Sequence, residues 1–404
     1  MRSTVFVKLS AMMLLEYFVW GAWYVTMGTY MSTVLNASGV QIGAAYSALA
    51  IATMISPFFV GMVADRYFAA QRIMGVLHLL GAVLLFFATK ITDNTVFYWI
   101  ILFYSLLYTP TIALSNSIAF QQMTDPGRQF PWIRVFGTVG WIIAGLLIGY
   151  LALESSADKL PFTFQMAAGA SALLGVISFI LPNTPPKGKS SDASASSALG
   201  SDAFVLFKDK PYLIFFIAAI LVCIPLSFYY GFANLFLKEV GMNEAAGKMI
   251  LGQFSEAVFI LAIPFLFNSI GVKRMLLLGM VAWILRYIFF AYGNSDANLW
   301  MLYAGIVLHG ICYDFFFVTG YMYTEKKAGE KIKNAAQGLF TFATYGVGMF
   351  IGTWFSGFTV DHYTSADKVH NWTGIWFVPV YIAVAVVLYF ILFFKEKSEI
   401  KQSS

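Results

Sequence analysis

An all-α polytopic membrane protein is predicted by three observations. The 404-residue chain is 59% hydrophobic and only 11% charged, a balance that no soluble domain could hide in one core. Mostly apolar segments of about 20 residues or more recur twelve times, each long enough to cross a bilayer as a helix. The runs are continuous instead of alternating every second residue, which excludes a membrane barrel.

The first segment, roughly 7 to 31, carries Glu16, lacks a small-residue cleavage site and is read as a retained span, not a signal peptide. Five more follow at 41 to 64, 72 to 90, 96 to 120, 132 to 153 and 161 to 182. The stretch NTPPKGKSSDASASSALGSDA then interrupts the pattern, too poor in apolar residues to fold alone. Six further segments occupy 211 to 237, 246 to 268, 273 to 292, 298 to 321, 335 to 360 and 372 to 394. The expected organisation is a six-helix bundle at 1–183, a cytoplasmic linker at 184–210, a second six-helix bundle at 211–394 and a cytoplasmic tail at 395–404. Such paired bundles are the layout of transporters that rock around a midplane site.

The even count places both termini on one side. Arg2, Arg66, Arg72, Arg128 and the lysines at 187–210, 273, 326–333 and 395–401 flank that side, while Lys90, Lys159, Lys238, Lys248 and Lys368 flank the other. Basic residues favour the cytoplasm, so both termini are expected there. The same distribution, short basic loops with no single patch, argues that the net charge of +5 serves no nucleic acid. Cys223 and Cys312 lie deep in expected spans and read as small packing residues, not as a disulfide or a metal pair. No metal or other cofactor is expected.

Between the second and third segments stands GMVADRYFAAQR. It resembles the G-x-x-x-D-R signature of the major facilitator superfamily, matched by Gly61, Asp65 and Arg66. The resemblance implies that the glycine permits close helix approach and that the Asp and Arg join a cytoplasmic charge network holding one gate state. An ordinary juxtamembrane charge pair is the bland alternative.

Ionisable residues inside the hydrocarbon layer are costly, which makes Glu16, Arg134, Glu256, Arg286, His309 and Asp314 the strongest functional signal. His78 also lies in a span but has no obvious polar companion, and donation to a backbone carbonyl would satisfy it. Helical spacing puts Arg134, Thr138 and Trp141 on one face, Gln253 and Glu256 on another, and Ser227, Tyr230 and Asn234 on a third. Glu16, Trp20, Trp23 and Met27 line up along the first span. Four helices, two from each half, thus present polar or aromatic faces to a shared cavity. Polar contacts between helices, worth ~1 kcal/mol each, are the plain alternative for Thr138, Ser227 and Asn234.

His309 and Asp314 stand five residues apart in HGICYDFFFV. The spacing resembles the H-x4-D of glycerolipid acyltransferases, but on a continuous helix it separates the two side chains by about 140°, and His309 shares a face with Tyr313 instead. No other nucleophile or metal constellation appears, so the chain is read as a non-enzyme.

Several stretches together resemble the bacterial nucleoside:proton symporters of the major facilitator superfamily. They are WGAWYVTMGTYM, IGAAYSALAIA, FPWIRVFGTVGW, SEAVFILAIPF, VAWILRYIFFAYG, CYDFFF and NAAQGLF, in order along nearly the whole chain. The resemblance implies the twelve-helix major facilitator fold, residence in the bacterial cytoplasmic (inner) membrane, and a monomer whose partners are a nucleoside, protons and lipid. It implies that Arg134, Thr138, Trp141, Gln253, Glu256, Tyr313 and Asp314 surround the nucleoside, with Ser227, Tyr230 and His309 beside them. A ribose suits carboxylate and arginine hydrogen bonds, and a flat base suits stacking on Trp141 or Tyr313.

The sequence departs from the pattern at three places. Ser227 and Tyr230 replace amides on the seventh span, Glu16 takes a place where an amide can occur, and His309 stands where some relatives carry tyrosine. These departures bear on base selectivity and proton stoichiometry. The expected activity is proton-driven nucleoside uptake by alternating access, with Asp314 and Glu256 the leading proton carriers, Glu16 a third candidate and Arg134 a fixed competing charge. A sugar or oligosaccharide:proton symporter is the alternative, and a membrane sensor or lipid-modifying enzyme a remote one.

Overall fold

A computed structural model describes residues 3–59, 68–185 and 201–395. Long apolar runs fold there as helices because a bilayer leaves the backbone no other donor or acceptor. The first span is split into α1 (Ser3–Trp23) and a short α2 (Met27–Thr33) by a turn at Tyr24 to Thr26. It is followed by α3 (Gly39–Phe59), α4 (Ala70–Ala88), α5 (Asn94–Gln121), α6 (Pro126–Tyr150) and α7 (Pro161–Ser178). After a 3-10 segment at Ser201–Lys208 come α8 (Lys210–Glu239) and α9 (Ala245–Tyr292), the latter kinked at Gly271, whose φ of 77° suits glycine. The chain closes with α10 (Leu299–Tyr313), a π segment at Asp314–Val318, α11 (Thr319–Thr341), a second π segment at Phe342–Gly348, α12 (Met349–His362) and α13 (Trp372–Phe393).

Local chemistry sets several boundaries. Asp93, Asp125 and Asn371 cap α5, α6 and α13 by accepting from the amides of Val96, Arg128 and Gly374. Among the described residues, eleven helical stretches are long and apolar enough to cross a membrane, one fewer than the twelve expected. The stretch expected at 335 to 360 is helical, but glycine, threonine and tyrosine dilute its apolar residues and it is not among the eleven.

The N-terminal helices α1 to α7 pack chiefly on one another, α1 on α6 and α7, and α4 on α5 and α7. Among the C-terminal helices, α9 packs on α10 and α13, and α8 on α12 and α13. The two groups meet along α3 with α12, α6 with α9 and α2 with α8. Close approach depends on glycine: a Cβ on Gly140 would lie 2.0 Å from the Leu14 carbonyl oxygen, and one on Gly28 2.2 Å from that of Gly231.

At the end where α3 and α9 begin, two carboxylates tie the groups together. Glu154, in the loop after α6, accepts from the Ala246 amide at the start of α9 (2.8 Å) and from Asn234 Nδ2 of α8 (2.7 Å). Asp361, at the end of α12, accepts from the amides of Gly39 and Val40 at the start of α3. Each group thus supplies an acid that caps a helix of the other, where orphan amides and the helix dipole favour negative charge. Asn234 also bonds the Thr29 hydroxyl of α2.

Candidate functional site

Between the two groups of helices lies a cavity of about 620 Å³, within the range of small-molecule sites. Its lining runs from Trp20, Tyr24 and Tyr230 near the sealed end to Ser56, Asn116 and Thr341, towards the end that carries the chain's N-terminus. A second pocket of only about 30 Å³, room for a water, shares Trp141, Tyr230 and Gln253 with it on the sealed side. Tyr24 and Tyr230 meet across the two groups with ring centroids 5.6 Å apart. Tyr46 braces this end by donating to the Tyr24 carbonyl (2.7 Å) and accepting from the Gly28 amide (3.1 Å).

Helix α6 brings Arg134, Thr138 and Trp141 to the wall together, as their spacing predicts. The Arg134 guanidinium lies 4.1 Å from the centroid of the Tyr17 ring, a cation–π contact on an aromatic that sequence reasoning did not single out. Gly137 leaves it room, since a Cβ there would lie 2.7 Å from both Arg134 Nη1 and Tyr17. Trp141 packs edge-to-face on Trp20, with centroids 5.5 Å apart. From the other side Gln253, Glu256, His309, Tyr230 and Tyr313 complete the wall. The Glu256 side chain is 28% exposed and that of His309 1%, so the carboxylate projects into the cavity and the imidazole forms part of its wall. The hydroxyls of Tyr313 and Tyr345 are hydrogen-bonded.

Other expected residues lie elsewhere. Ser227 is buried, its hydroxyl donating back to the Cys223 carbonyl (2.8 Å), and Asn234 serves the seal. Of the three-residue stripe on α8, Tyr230 alone lines the cavity. Glu16 is fully buried among the N-terminal helices, 2.9 Å from His78 Nε2 and accepting from the Thr111 hydroxyl (2.7 Å). This corrects two expectations: Glu16 does not share the cavity face with Trp20, and His78 has a carboxyl companion. Trp23 and Met27 are likewise buried, Trp23 edge-on to Tyr104.

Asp314 opens the first π segment, is fully buried and is not among the cavity-lining residues. Neither of its oxygens has a hydrogen-bond partner among the described residues. The helix runs on across HGICYDFFFV but changes register: α10 carries His309 to the cavity wall, and the π segment begins at Asp314. Gly61, Asp65 and Arg66 lie outside the described residues.

Sequence reasoning missed Tyr17, Tyr24, Tyr46, Asn116, Tyr321 and Tyr345 on the wall, and Glu154 and Asp361 at the seal. Aromatics make up 18% of the chain, so no single tyrosine stands out in it. The two acids sit at span ends, where a charge carries no signal.

An array of apolar helices, eleven of them long enough to cross a membrane among the described residues, around a polar, aromatic-walled cavity defines a membrane transporter. Comparison with known proteins gives the family. Residues 3–399 match the family model described as nucleoside H+ symporter. The chain is 44% identical to YegT of Escherichia coli (strain K12), named only provisionally as a nucleoside transporter, over 97% of this chain and 95% of that one. It is 38% identical to the xanthosine permease of the same organism, over 96% of this chain and 95% of the permease. The crystal structure of the nucleoside transporter NupG superimposes with a TM-score of 0.89 at 32% identity, covering 97% of this chain and all of NupG. The chain belongs to the nucleoside:proton symporter family, and its fold is that of a multi-pass, major-facilitator-like transporter.

Proposed function

We propose that this protein takes up nucleosides together with protons by alternating access, and that it is no enzyme. Twelve spans form two six-helix bundles, 1–183 and 211–394, joined by the linker 184–210, with both termini cytoplasmic. In that orientation the cavity faces the cytoplasm and the carboxylate seals lie on the outer side, so the structure represents an inward-facing state. The protein resides, like its bacterial relatives, in the cytoplasmic membrane.

The observation that carries this reading is the meeting of Arg134, Glu256 and Trp141 around one cavity in a chain of this family. Arg134 and Glu256 supply charge-assisted hydrogen bonds suited to ribose hydroxyls, while Trp141 and Tyr313 supply faces for the base. Thr138, Gln253, Tyr230 and His309 add directional polar contacts. Ser227 acts from behind the wall, through the packing of α8. Glu256 and Asp314 are the leading proton carriers. An anion at Asp314, buried with no hydrogen-bond donor among the described residues, is costly to keep, which suits a residue that exchanges a proton. Glu16 stays the third candidate. Gly61, Asp65 and Arg66 are assigned to gating on the cytoplasmic side.

Uptake by proteoliposomes tests the reading with a panel of purine and pyrimidine nucleosides, free bases and sugars, with and without an inward proton gradient. Nucleosides should accumulate only with the gradient, and excess sugar should not compete. Accumulation unchanged after the gradient is collapsed would remove symport, and equal competition by sugars would remove the substrate class. Asp314→Asn should abolish concentrative uptake while leaving exchange, and full accumulation by that variant would exclude Asp314 from coupling.

A further inference from the structure

Arg286 of α9 is fully buried, yet no carboxylate lies within ion-pair distance of it among the described residues. Its guanidinium stacks 3.4 Å from the centroid of the Tyr229 ring, and Nε and Nη2 have no hydrogen-bond partner among the described residues. Nη1 lies 3.1 Å from His309 Nδ1. A buried guanidinium with no carboxylate beside it is expensive to keep, and Tyr229, Cys312 and His309 are the groups that surround this one.

Arginine only donates, so His309 Nδ1 must accept and the imidazole proton must sit on Nε2. Nε2 is the atom nearer Glu256, whose Oε2 lies 3.9 Å away, too far for a direct hydrogen bond. The cavity wall thus carries a donor and, when Glu256 is ionised, an acceptor, side by side and not satisfied by each other. A carbonyl oxygen placed between them would suit the imidazole but face the carboxylate, and an N–H would suit the carboxylate but face the imidazole. A hydroxyl suits both, since it accepts from one and donates to the other. An oxygen about 2.8 Å from each atom makes an angle of about 90° between them, open enough for that double role.

We propose that Arg286 is a positioning residue that holds His309 with its proton on Nε2, so that His309 and Glu256 together read one hydroxyl of the substrate's sugar. The inference rests on the nucleoside reading above and sharpens it to discrimination between a ribonucleoside and the deoxynucleoside lacking that hydroxyl. Arg286 touches no substrate and acts through His309.

The test uses the full chain in proteoliposomes with uridine and its 2′-, 3′- and 5′-deoxy forms, each as a competitor of labelled uridine uptake. One deoxy form should compete about 10- to 100-fold more weakly than uridine, the cost of losing a hydrogen bond to a charged partner. In His309→Phe that one ratio should fall towards unity while the ratios of the other two deoxy forms stay put. Arg286→Met should do the same with His309 still present, and Arg286→Lys, which keeps a donor, should restore most of the discrimination. Each ratio is taken on one preparation, so a variant that inserts poorly still reports it. Wild-type selectivity retained in Arg286→Met, or all three ratios collapsing together, overturns the proposal alone. If no nucleoside competes with or supports uptake by the wild-type protein, the nucleoside reading fails and this inference fails with it.

Discussion

Glu16 and His78 form a buried pair whose proton count follows from its neighbours. Ser171 donates its hydroxyl proton to the His78 carbonyl (2.9 Å), so at 3.0 Å the Ser171 oxygen must accept from His78 Nδ1. One further proton then lies between His78 Nε2 and Glu16 Oε2, and the pair is neutral as a whole. Deleting one partner strands the other in an apolar interior. His78→Ala should therefore lower stability by ~3 kcal/mol or more, read as an earlier melting transition in detergent. An unchanged transition would show that Glu16 finds a substitute. On the cavity wall, Trp141→Ala removes a flat face held edge-on by Trp20. Its apparent affinity for nucleosides should fall about 3- to 10-fold with little change in the maximal rate, whereas a pure rate defect would point to a packing role. At this scale the cost of an acid in a span made Glu16 visible in the sequence. Its partner was invisible because a histidine 62 residues away has no sequence mark of adjacency.

Helix irregularities decide how these side chains are aimed. The turn at Tyr24 to Thr26 ends α1 beside the cavity and lets α2 change course towards α8. The π segments at Asp314–Val318 and Phe342–Gly348 insert extra residues into the register, and such insertions are frequent at functional sites. Tyr313 and Tyr345, joined through their hydroxyls, flank and occupy these segments. Periodicity holds on α6, which is regular between Arg134 and Trp141, and on α10, where His309 and Tyr313 share the cavity wall and Asp314, at the start of the π segment, does not. Glycine contacts set the closest approaches. Gly28→Val would force a branched side chain against the Gly231 carbonyl, 2.2 Å from even its first carbon, at a junction between the two helix groups. Uptake should fall sharply. A cysteine placed at Val25, on the small pocket, should become more reactive to an impermeant thiol reagent added outside. Unaltered labelling with normal uptake would mean that the junction tolerates the extra volume.

Across the whole molecule, the seal pairs Glu154 with the start of α9 and Asp361 with the start of α3, each acid crossing from one helix group to the other. A helix cap of this kind contributes about 1 kcal/mol, so Glu154→Ala or Asp361→Ala should each shift the balance roughly 5-fold towards an outward-open state. Distance measurements between labels on the two groups at that end would read the shift, and identical distributions in both variants would dismiss the caps as a latch. Burial, the largest influence, pushes the Glu154 carboxyl above its ordinary value of 4.5, and Glu244 adds to the rise. The Ala246 amide, Asn234 and Lys238 act in the opposite direction. On opening, an exposed Glu154 would return to the ordinary value, so the closed state binds the proton more tightly. Acid should therefore favour closure, and rising external pH should favour opening. Glu154→Gln should flatten that part of the profile, and an unchanged profile would assign it to another group. By itself, the sequence determined that the chain crosses a membrane many times, which helix faces carry polar residues and which family it resembles, because insertion cost and helical period act locally along the chain. Only the tertiary structure decided that Glu16 pairs with His78 away from the cavity, that Arg286 meets His309 and that Asp314 lies off the cavity wall. Those outcomes depend on how helices rotate and kink against neighbours distant in sequence, and hydrophobic period is silent on both.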